Sequence, residues 1–143
     1  YEFHTDGSGA DVIQVPGGGT MLPACNVEKE DQFFFTMKGK KVYRFAVSKG
    51  SEVIKSIMTN NSMTPDRVIC HKANRNILAD IAAEVGLDPE IFYMNLHKYG
   101  NTAGASPFIA FHESAKDFPG DNEILMVAFG GGLSWGGLYL KRR

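Results

Sequence analysis

The sequence is short of cysteine, of long apolar runs and of net charge, and each shortage excludes a class of protein. Its two cysteines, Cys25 and Cys70, form neither a C-x-x-C pair nor a metal-ligand spacing, which favours reduced thiols in a cytoplasmic protein. The formal net charge of −1 provides no general attraction to nucleic acid or to an anionic membrane surface. No apolar run approaches the roughly 20 residues of a membrane span, so neither nucleic acid nor a membrane is expected as a partner.

The 143 residues, 43% of them apolar, are enough for one globular domain with a hydrophobic core. Residues 1–36 combine β-branched and aromatic runs, such as YEFHT, ADVIQV and QFFFT, with Gly and Pro, which predicts strands and turns. A helical period then begins at Met37 and continues for about five turns. Beyond it, the pattern predicts helices that start near 74, 88 and 103, and strands at 67–70, 92–96, 123–129 and 133–141. This order favours an α/β fold, a mixed sheet layered with helices, in a single domain over residues 1–143.

The segment VICHKANRN, residues 68–76, places a cysteine beside a histidine at the end of a predicted buried strand. Because neighbouring side chains of a strand point to opposite faces, Cys70 is expected in the packing behind the sheet while His71 faces out. A free cysteine among apolar residues is usually a small core residue, so Cys70 is not expected to be a nucleophile. His71 lies where α/β folds place their ligands, although a histidine at such a position is more often structural than catalytic.

Two glycine-containing segments supply candidate oxyanion-binding groups. In KYGNTAGAS, residues 98–106, Asn101 follows a glycine and precedes a helix that opens with small residues, and its amide can donate a hydrogen bond at any pH. In VAFGGGLSWGG, residues 127–137, consecutive glycines leave backbone N–H groups open to a ligand. Structural interpretations stay open for both: an asparagine turn in the first, and a hairpin with a bulged glycine turn in the second.

The segment MKGKKVYR, residues 37–44, gathers cations at the start of the first long helix: Lys38, Lys40, Lys41 and Arg44. A helix N-terminus is already positive, so these side chains add to the local potential rather than balance it. The cluster is either a solvated face or a docking patch for an acidic partner or a phosphate.

The order of the motifs, HKAN, then GNTxxAS, then AFGGGxSWG, closely resembles that in the C-terminal half of β-ketoacyl-acyl-carrier-protein synthase III, a condensing enzyme of the thiolase superfamily. The DGSGAD start and the segment FTMKGKKVYRFAV match the same half, so the resemblance covers nearly the whole chain. It implies a thiolase-like fold and an acyltransferase that starts fatty-acid synthesis by joining malonyl-acyl carrier protein to a primer acyl group. No metal or other cofactor is implied. The implied partners are acyl carrier protein, a CoA thioester and a second copy in the family's homodimer.

The resemblance also assigns roles to particular residues. His71 and Asn101 match the histidine and asparagine of the family's Cys–His–Asn triad, which hydrogen-bond the malonyl thioester carbonyl. The glycine loop Gly130–Gly132, bordered by Phe129, matches the segment whose backbone N–H helps to hold the acyl-thioester oxyanion, with Gly131 the preferred donor. Weaker matches place six residues at the pantetheine tunnel or the carrier-protein docking face: Met37, Lys40, Tyr43, Arg44, Asn74 and Arg75.

The nucleophilic cysteine of the triad has no counterpart in this chain. In the family it lies at a helix N-terminus in the N-terminal half, and neither Cys25 nor Cys70 matches it. We therefore expect a C-terminal half that is inactive by itself and needs a Cys-bearing N-terminal half, with an exposed apolar face where that half docks. Two alternatives stay open. One is a non-catalytic isolated domain or subunit of a split condensing enzyme, and the other is a secondary-metabolism relative that forms polyketides, quinolones or esters.

Two departures from the family pattern affect these assignments. The basic residue that usually follows H-x-A-N-x is displaced by one position, since Arg75 precedes Asn76, which moves its charge by about 100° around a helix. Gly104 interrupts the small-residue run after the G-N-T motif and is expected to weaken the helix start by up to about 1 kcal/mol.

Overall fold

A computed structural model describes residues 1–72 and 74–142. The strands are β1 Glu2–Thr5, β2 Ile13–Gln14, β3 Thr36–Met37, β4 Arg67–Cys70, β5 Glu123–Gly130 and β6 Ser134–Lys141. The α-helices are α1 Gly39–Asn61, α2 Arg75–Val85, α3 Leu96–Tyr99 and α4 Ser106–Asp117. Short 3-10 turns connect them at Gly7–Gly9, Ala24–Asn26, Glu30–Phe33, Pro89–Ile91 and Ala103–Ala105.

The main sheet is mixed and has the strand order β1-β6-β5-β4. β4 and β5 are parallel, with Cys70 opposite Val127, whereas β6 is antiparallel to both β5 and β1. The parallel pair requires a crossover, and the whole segment from α2 to α4 forms it. β2 and β3 form a separate two-stranded sheet that leads into α1.

Helices cover both faces of the main sheet, and the alternation of side chains along β4 and β5 decides which face each residue meets. On one face, Val68, Cys70, Leu125 and Val127 pack with buried residues of α1 and α2. On the other face, the buried cluster includes Ala110 of α4 together with residues of β4 and β5: Ile69, Ile124 and Met126. The predicted α/β fold with layered helices is confirmed.

The predicted helices at 74 and 103 are confirmed, and their ends have a local cause. The Asn74 side chain accepts the N–H of Asn76 and caps α2, and Gly86 ends the helix in the left-handed region at φ 72°. α1 is longer than the predicted five turns, with 23 residues. Among the described residues, no helix has the length and apolarity needed to cross a membrane.

Two predicted strands are wrong in whole or in part. The segment 92–96 makes a single parallel bridge, between Phe92 and Val68, and the Tyr93 N–H then donates to the Val68 carbonyl. Asn95 leaves extended geometry at φ −126° and ψ 21°, because its side chain is held by Lys72 and Glu113 away from the sheet edge.

The second correction concerns QFFFT, where Glu30–Phe33 is a 3-10 turn and only the last residue, Thr36, reaches a strand. The aromatic run has β propensity but little to pack against, so Phe34 is 60% exposed and Phe35 is 64% exposed.

The glycines of β6 mark close approach of other elements, as the sequence predicted. A Cβ built on Gly136 would lie 2.7 Å from the Glu2 carbonyl oxygen of β1. A Cβ on Gly137 would lie 2.4 Å from Val53 Cγ1 and 2.5 Å from Ile57 Cδ1 of α1. The absence of side chains at these two positions therefore lets β1 and α1 pack directly on the backbone of β6.

Candidate active site

The carboxyl ends of β4 and β5 lie at one edge of the sheet because the two strands are parallel. The His71 N–H donates to the Val127 carbonyl at 2.8 Å, so His71 directly follows the last paired residue of β4. The turn that begins after Phe129 and Gly130 lies at the end of β5, on this same edge. The fold thus brings the first and third of the candidate motifs together.

His71 contacts α4 through a single hydroxyl group. Its Nδ1 lies 2.8 Å from Ser106 Oγ, and the backbone N–H of Lys72 donates to the same oxygen at 3.2 Å. Because the backbone N–H can only donate, the serine oxygen accepts there and its own hydrogen is available for Nδ1. In that arrangement the imidazole hydrogen lies on Nε2, but the second lone pair of the serine oxygen can equally accept from Nδ1–H, so the contact fixes the orientation of the ring and not its tautomer.

The environment favours the neutral form of His71. Burial lowers the pKa of the half-buried imidazole, and the positive charge of Lys72 lowers it further, while hydrogen bonding with the Ala103 backbone acts in the opposite direction. A neutral imidazole with its hydrogen on Nε2 is a hydrogen-bond donor that carries no net charge.

Cys70 lies on the opposite face of β4, as predicted. It is 0% exposed among residues of α1 and α2, and burial raises the pKa of its thiol to about 12. The thiolate that nucleophilic chemistry requires is therefore not formed near neutral pH. Cys25 is exposed in the Ala24–Asn26 turn, where its Sγ donates to the Asn26 side chain at 3.5 Å.

Asn101 lies in the loop that leads into α4. Its Oδ1 accepts the Ala103 N–H at 2.9 Å, which makes the asparagine turn that the sequence left open. Ala103 adopts a left-handed φ of 48° in this turn. With the oxygen engaged, the exposed NH2 group is the part of the amide that can donate to a ligand.

The glycine segment forms the tight connection between β5 and β6. Phe129 contacts the ring of Phe45 edge-on at 6.1 Å between centroids, and Gly131 is exposed, with its Cβ position 3.6 Å from the Ile13 carbonyl oxygen. On the far side of the turn, Leu133 exchanges two backbone hydrogen bonds with Asp6, both 2.7 Å long. The turn is therefore held at Leu133 by Asp6, the residue that follows β1, and Gly131 lies exposed within it.

The other predicted site residues fall into two groups near the helix starts. Lys40, Tyr43 and Arg44 line a shallow depression of about 300 Å³ with Gly39 at the start of α1, and Met37 is 55% exposed just before it. The Tyr43 hydroxyl donates to Asp80 of α2, which raises the pKa of Tyr43.

The second group is at the start of α2. Asn74 uses its side-chain oxygen as the helix cap, and Arg75 lines a groove of about 940 Å³ together with His97, Lys98 and Asp117. At the start of α1, Lys38 is one of the four clustered cations, and it forms an ion pair with Asp11.

Sequence reasoning missed the residues that support His71. Ser106 ends the AGAS run of the asparagine motif, but nothing in the pattern links its hydroxyl to His71. Lys72 is next to His71 in sequence, yet it is almost completely buried, which a lysine rarely is. Within residues 1–72 and 74–142, no three His, Cys, Asp or Glu side chains are grouped so that they could hold a metal ion.

Residues 59–142, more than half of the chain, match the family described as 3-oxoacyl-[acyl-carrier-protein (ACP)] synthase III C terminal. The chain belongs to this family.

Members of the synthase III family are similar in sequence to this chain over nearly its whole length. A β-ketoacyl-[acyl-carrier-protein] synthase III from Chlamydia muridarum is 35% identical over 143 residues, which cover 96% of this chain and 44% of the relative. β-Ketoacyl-[acyl-carrier-protein] synthase III 3 from Streptomyces coelicolor is 37% identical over 139 residues, or 92% of this chain and 41% of the relative. The crystal structure of 3-oxoacyl-[acyl-carrier-protein] synthase III from Aquifex aeolicus VF5 superposes with a TM-score of 0.81 at 30% identity, covering 99% of this chain and 43% of that one.

The predicted resemblance to synthase III and the thiolase-like fold are thus confirmed. The chain spans less than half the length of the synthase III relatives that it matches.

Proposed function

We propose that this chain is the part of a β-ketoacyl-acyl-carrier-protein synthase III that decarboxylates malonyl-acyl carrier protein, acting with an N-terminal half that supplies the nucleophilic cysteine. The observation that carries the proposal is the His71–Ser106 contact at the sheet edge, which holds a neutral imidazole at its Nδ1; we assign the ring hydrogen to Nε2, where it can donate to a substrate. Membership of the family supplies the reaction class.

In the proposed reaction, His71 Nε2–H and the Asn101 amide donate to the malonyl thioester carbonyl oxygen. As the bond to the carboxylate breaks and CO2 leaves, its electron pair moves into an enolate whose negative charge lies largely on that oxygen. Two donors that are held before the reaction would stabilise this charge without reorganisation, and one such donor is worth about 3–4 kcal/mol. The enolate carbon then attacks the acyl group held as a thioester on the partner half's cysteine, and the cysteine thiolate leaves.

The tetrahedral intermediate of that second step carries its own oxyanion. We assign its donor to the backbone N–H of Gly131, since the turn is held by Asp6 and Leu133 and leaves Gly131 exposed. Phe129 borders this position and packs edge-on against Phe45.

Substrate delivery is assigned to the starts of α1 and α2. The cations Lys40 and Arg44 beside a shallow depression fit an acidic carrier protein, or the phosphate of its pantetheine arm, better than an apolar ligand. Tyr43 and Met37 offer apolar surface to the arm, and Asn74 and Arg75, exposed at the start of α2, are assigned to the same docking role. The proposed substrates are therefore an acyl-CoA primer and malonyl-acyl carrier protein, used by a cytoplasmic homodimer of the paired halves without a metal or other cofactor.

The proposal is tested by assaying the chain with a Cys-bearing N-terminal half, following release of CO2 and acylation of the cysteine separately. His71→Ala and Asn101→Ala should each lower decarboxylation by roughly 100-fold or more, because each removes one oxyanion donor, while acylation stays detectable. His112→Ala is the matched control, since His112 is an exposed histidine of α4. Decarboxylation that survives in His71→Ala would refute the assigned role.

Without the N-terminal half, the chain should form no acyl-enzyme at Cys70. The buried thiol has a pKa of about 12 and no access to an acyl donor. Intact-protein mass spectrometry after incubation with an acyl-CoA, with wild type compared with Cys25→Ser, should show no adduct that depends on Cys70. An acyl adduct on Cys70 would contradict the division of the triad between two halves.

A further inference from the structure

The residue after His71 is a lysine whose side chain is almost entirely inside the protein. Lys72 is 1% exposed, and its Nζ donates to Asn95 Oδ1 and lies 5.5 Å from the centre of the Tyr93 ring. Among the ion pairs of residues 1–72 and 74–142, none includes Lys72. An ammonium group that is buried without a directly paired carboxylate is costly, so its presence beside a candidate catalytic group requires an explanation.

The ammonium group is connected to a carboxylate through one amide. Asn95 is 3% exposed, and its Nδ2 donates to Glu113 Oε2 at 2.6 Å. The other oxygen of Glu113 accepts the Tyr99 hydroxyl at 2.7 Å and lies 3.7 Å from Lys98 Nζ. Asn95 therefore bridges the ammonium group of Lys72 and the carboxylate of Glu113 on α4.

The backbone of Lys72 is bound to the same helix. Its N–H donates to Ser106 Oγ, the oxygen that also contacts His71 Nδ1. Ser106 and Glu113 are two turns apart on α4, so they project from one side of the helix. Lys72 is thus tied to α4 at its backbone by Ser106 and at its ammonium group by Asn95 and Glu113.

We propose that Lys72 is a positioning residue for His71, which holds the end of β4 against α4 at two points and presents a buried positive charge to the imidazole. This role rests on the proposed function of His71, because without it a fixed, neutral imidazole has no use. A lysine at this position does more than fill space: an apolar side chain could bury the same volume but could neither hold Asn95 nor repel a proton from His71.

The titratable groups around Lys72 leave its positive charge in place, and this charge opposes protonation of His71. Cys70 on β4 and Tyr93 are buried with raised pKa values, so both stay uncharged. Glu113 is the carboxylate of the network, and the exposed Lys98 lies beside it. Burial lowers the pKa of Lys72 to about 8, opposed by Glu113, so the ammonium form still predominates at neutral pH. The positive charge of Lys72 in turn lowers the pKa of His71.

The test is an NMR titration of the His71 imidazole, assigned by comparison with His71→Ala, in the wild-type chain and in Lys72→Met, Lys72→Gln and Lys72→Arg. We expect the His71 titration to move to higher pH in the Met and Gln variants, and to stay close to wild type in the Arg variant, which keeps the charge. In the Met and Gln variants, the chemical shifts of the two ring nitrogens should also show loss of the assigned Nε2–H tautomer, because the end of β4 is no longer held against α4. Lys98→Met is the matched control, because Lys98 also approaches Glu113 but is exposed and remote in sequence from His71.

Unchanged titration and tautomer signals in a folded Lys72→Met or Lys72→Gln chain would overturn the proposal. Lys72→Gln keeps a donor for Asn95 and is the variant to measure where Lys72→Met does not fold. The titration needs no catalysis, so the positioning role and the decarboxylation role can fail independently: the first by an unmoved titration, the second by activity that survives in His71→Ala.

Discussion

The hydroxyl of Ser106 fixes the orientation of the His71 ring, and it stabilises the Nε2–H tautomer of the proposed reaction when it donates to Nδ1. The same oxygen atom accepts the Lys72 N–H, so the ring and the backbone that follows it are held at one point. An oxyanion donor needs a fixed orientation as well as the tautomer that carries the hydrogen. Ser106 is 3% exposed, so water cannot easily replace its hydroxyl.

Ser106→Ala should lower the decarboxylation rate of the reconstituted enzyme by about tenfold, the size of one misplaced hydrogen bond, with little change in KM. The measurement is kcat and KM for CO2 release with the Cys-bearing half present. Ser114→Ala removes another buried hydroxyl of α4, one that donates to the Phe111 carbonyl, and should leave the rate unchanged. Equal losses in the two variants would mean that helix stability, not tautomer control, is responsible.

Glu113 should make folding stability depend on pH at the acid end. Hydrogen bonds from Asn95 and Tyr99 lower its pKa from 4.5 to about 2 in the folded protein. The unfolded chain therefore binds the proton first, and the stabilisation from Glu113 is complete above pH 4.5 and is lost as the pH falls toward 2.

The free energies of unfolding in urea should therefore differ between Glu113→Gln and wild type at pH 6, and this difference should narrow below pH 4.5. Glu84→Gln, on α2 and 3.9 Å from Lys55, is the control for loss of one surface carboxylate. A difference that stays constant from pH 6 to pH 3 would contradict the shifted pKa.

At the scale of the elements, β6 depends on two glycines that the sequence already indicated. Gly136 lies against the backbone of β1, and Gly137 lies against two aliphatic side chains of α1. An added methyl group at Gly137 would have to displace Val53 and Ile57, both of which are buried in the core.

Gly137→Ala should therefore destabilise the chain by about 1–3 kcal/mol, the usual cost of overpacking a core. Gly104→Ala is the opposite case: a Cβ at Gly104 meets nothing within 4 Å, so this change should be neutral or stabilising by up to about 1 kcal/mol. Urea unfolding of both variants at one pH measures the difference. A stable Gly137→Ala chain would mean that α1 can move away from β6 at little cost.

The elements that sequence could predict are those with a local signature. α1 and α2 show helical periods, and α2 has its Asn74 cap and Gly86 stop within the sequence itself. The conformation of residues 92–96 could not be predicted from the sequence, because the hydrogen bonds that turn Asn95 away from the sheet come from Lys72 and Glu113. The Ser106–His71 contact was out of reach for the same reason: it depends on how α4 crosses the sheet.

At the scale of the whole molecule, the two faces of the sheet are covered unequally. α1 and α2 together bury one face, while α4 is the long helix on the other, and its outward residue Phe108 is 69% exposed. The exposed Phe108 ring is a candidate contact for a partner on the α4 side, and Phe34 and Phe35 are further exposed aromatic side chains. The apolar docking face expected from the sequence stays a prediction.

Phe108→Ser should weaken association with the Cys-bearing N-terminal half while leaving the unfolding free energy of the chain unchanged. The reason is that its ring contributes apolar area to an interface and little to the chain's own core. Sedimentation velocity of mixtures at several concentrations measures the affinity. Lys55→Ser, on α1 across the sheet, is the control, and equal affinities for Phe108→Ser and wild type would place the partner elsewhere.

The parallel pairing of β4 with β5 has a consequence for the order in which the protein folds. The His71 N–H reaches its acceptor, Val127, only after the entire crossover from α2 to α4 has been closed into a loop. Closing such a loop costs entropy before the contact repays it, so pairing of distant strands is slow compared with helix formation. In pulsed hydrogen exchange during refolding, amides inside α2 should gain protection early and the His71 amide late, so the candidate active site would be among the last parts of the chain to form.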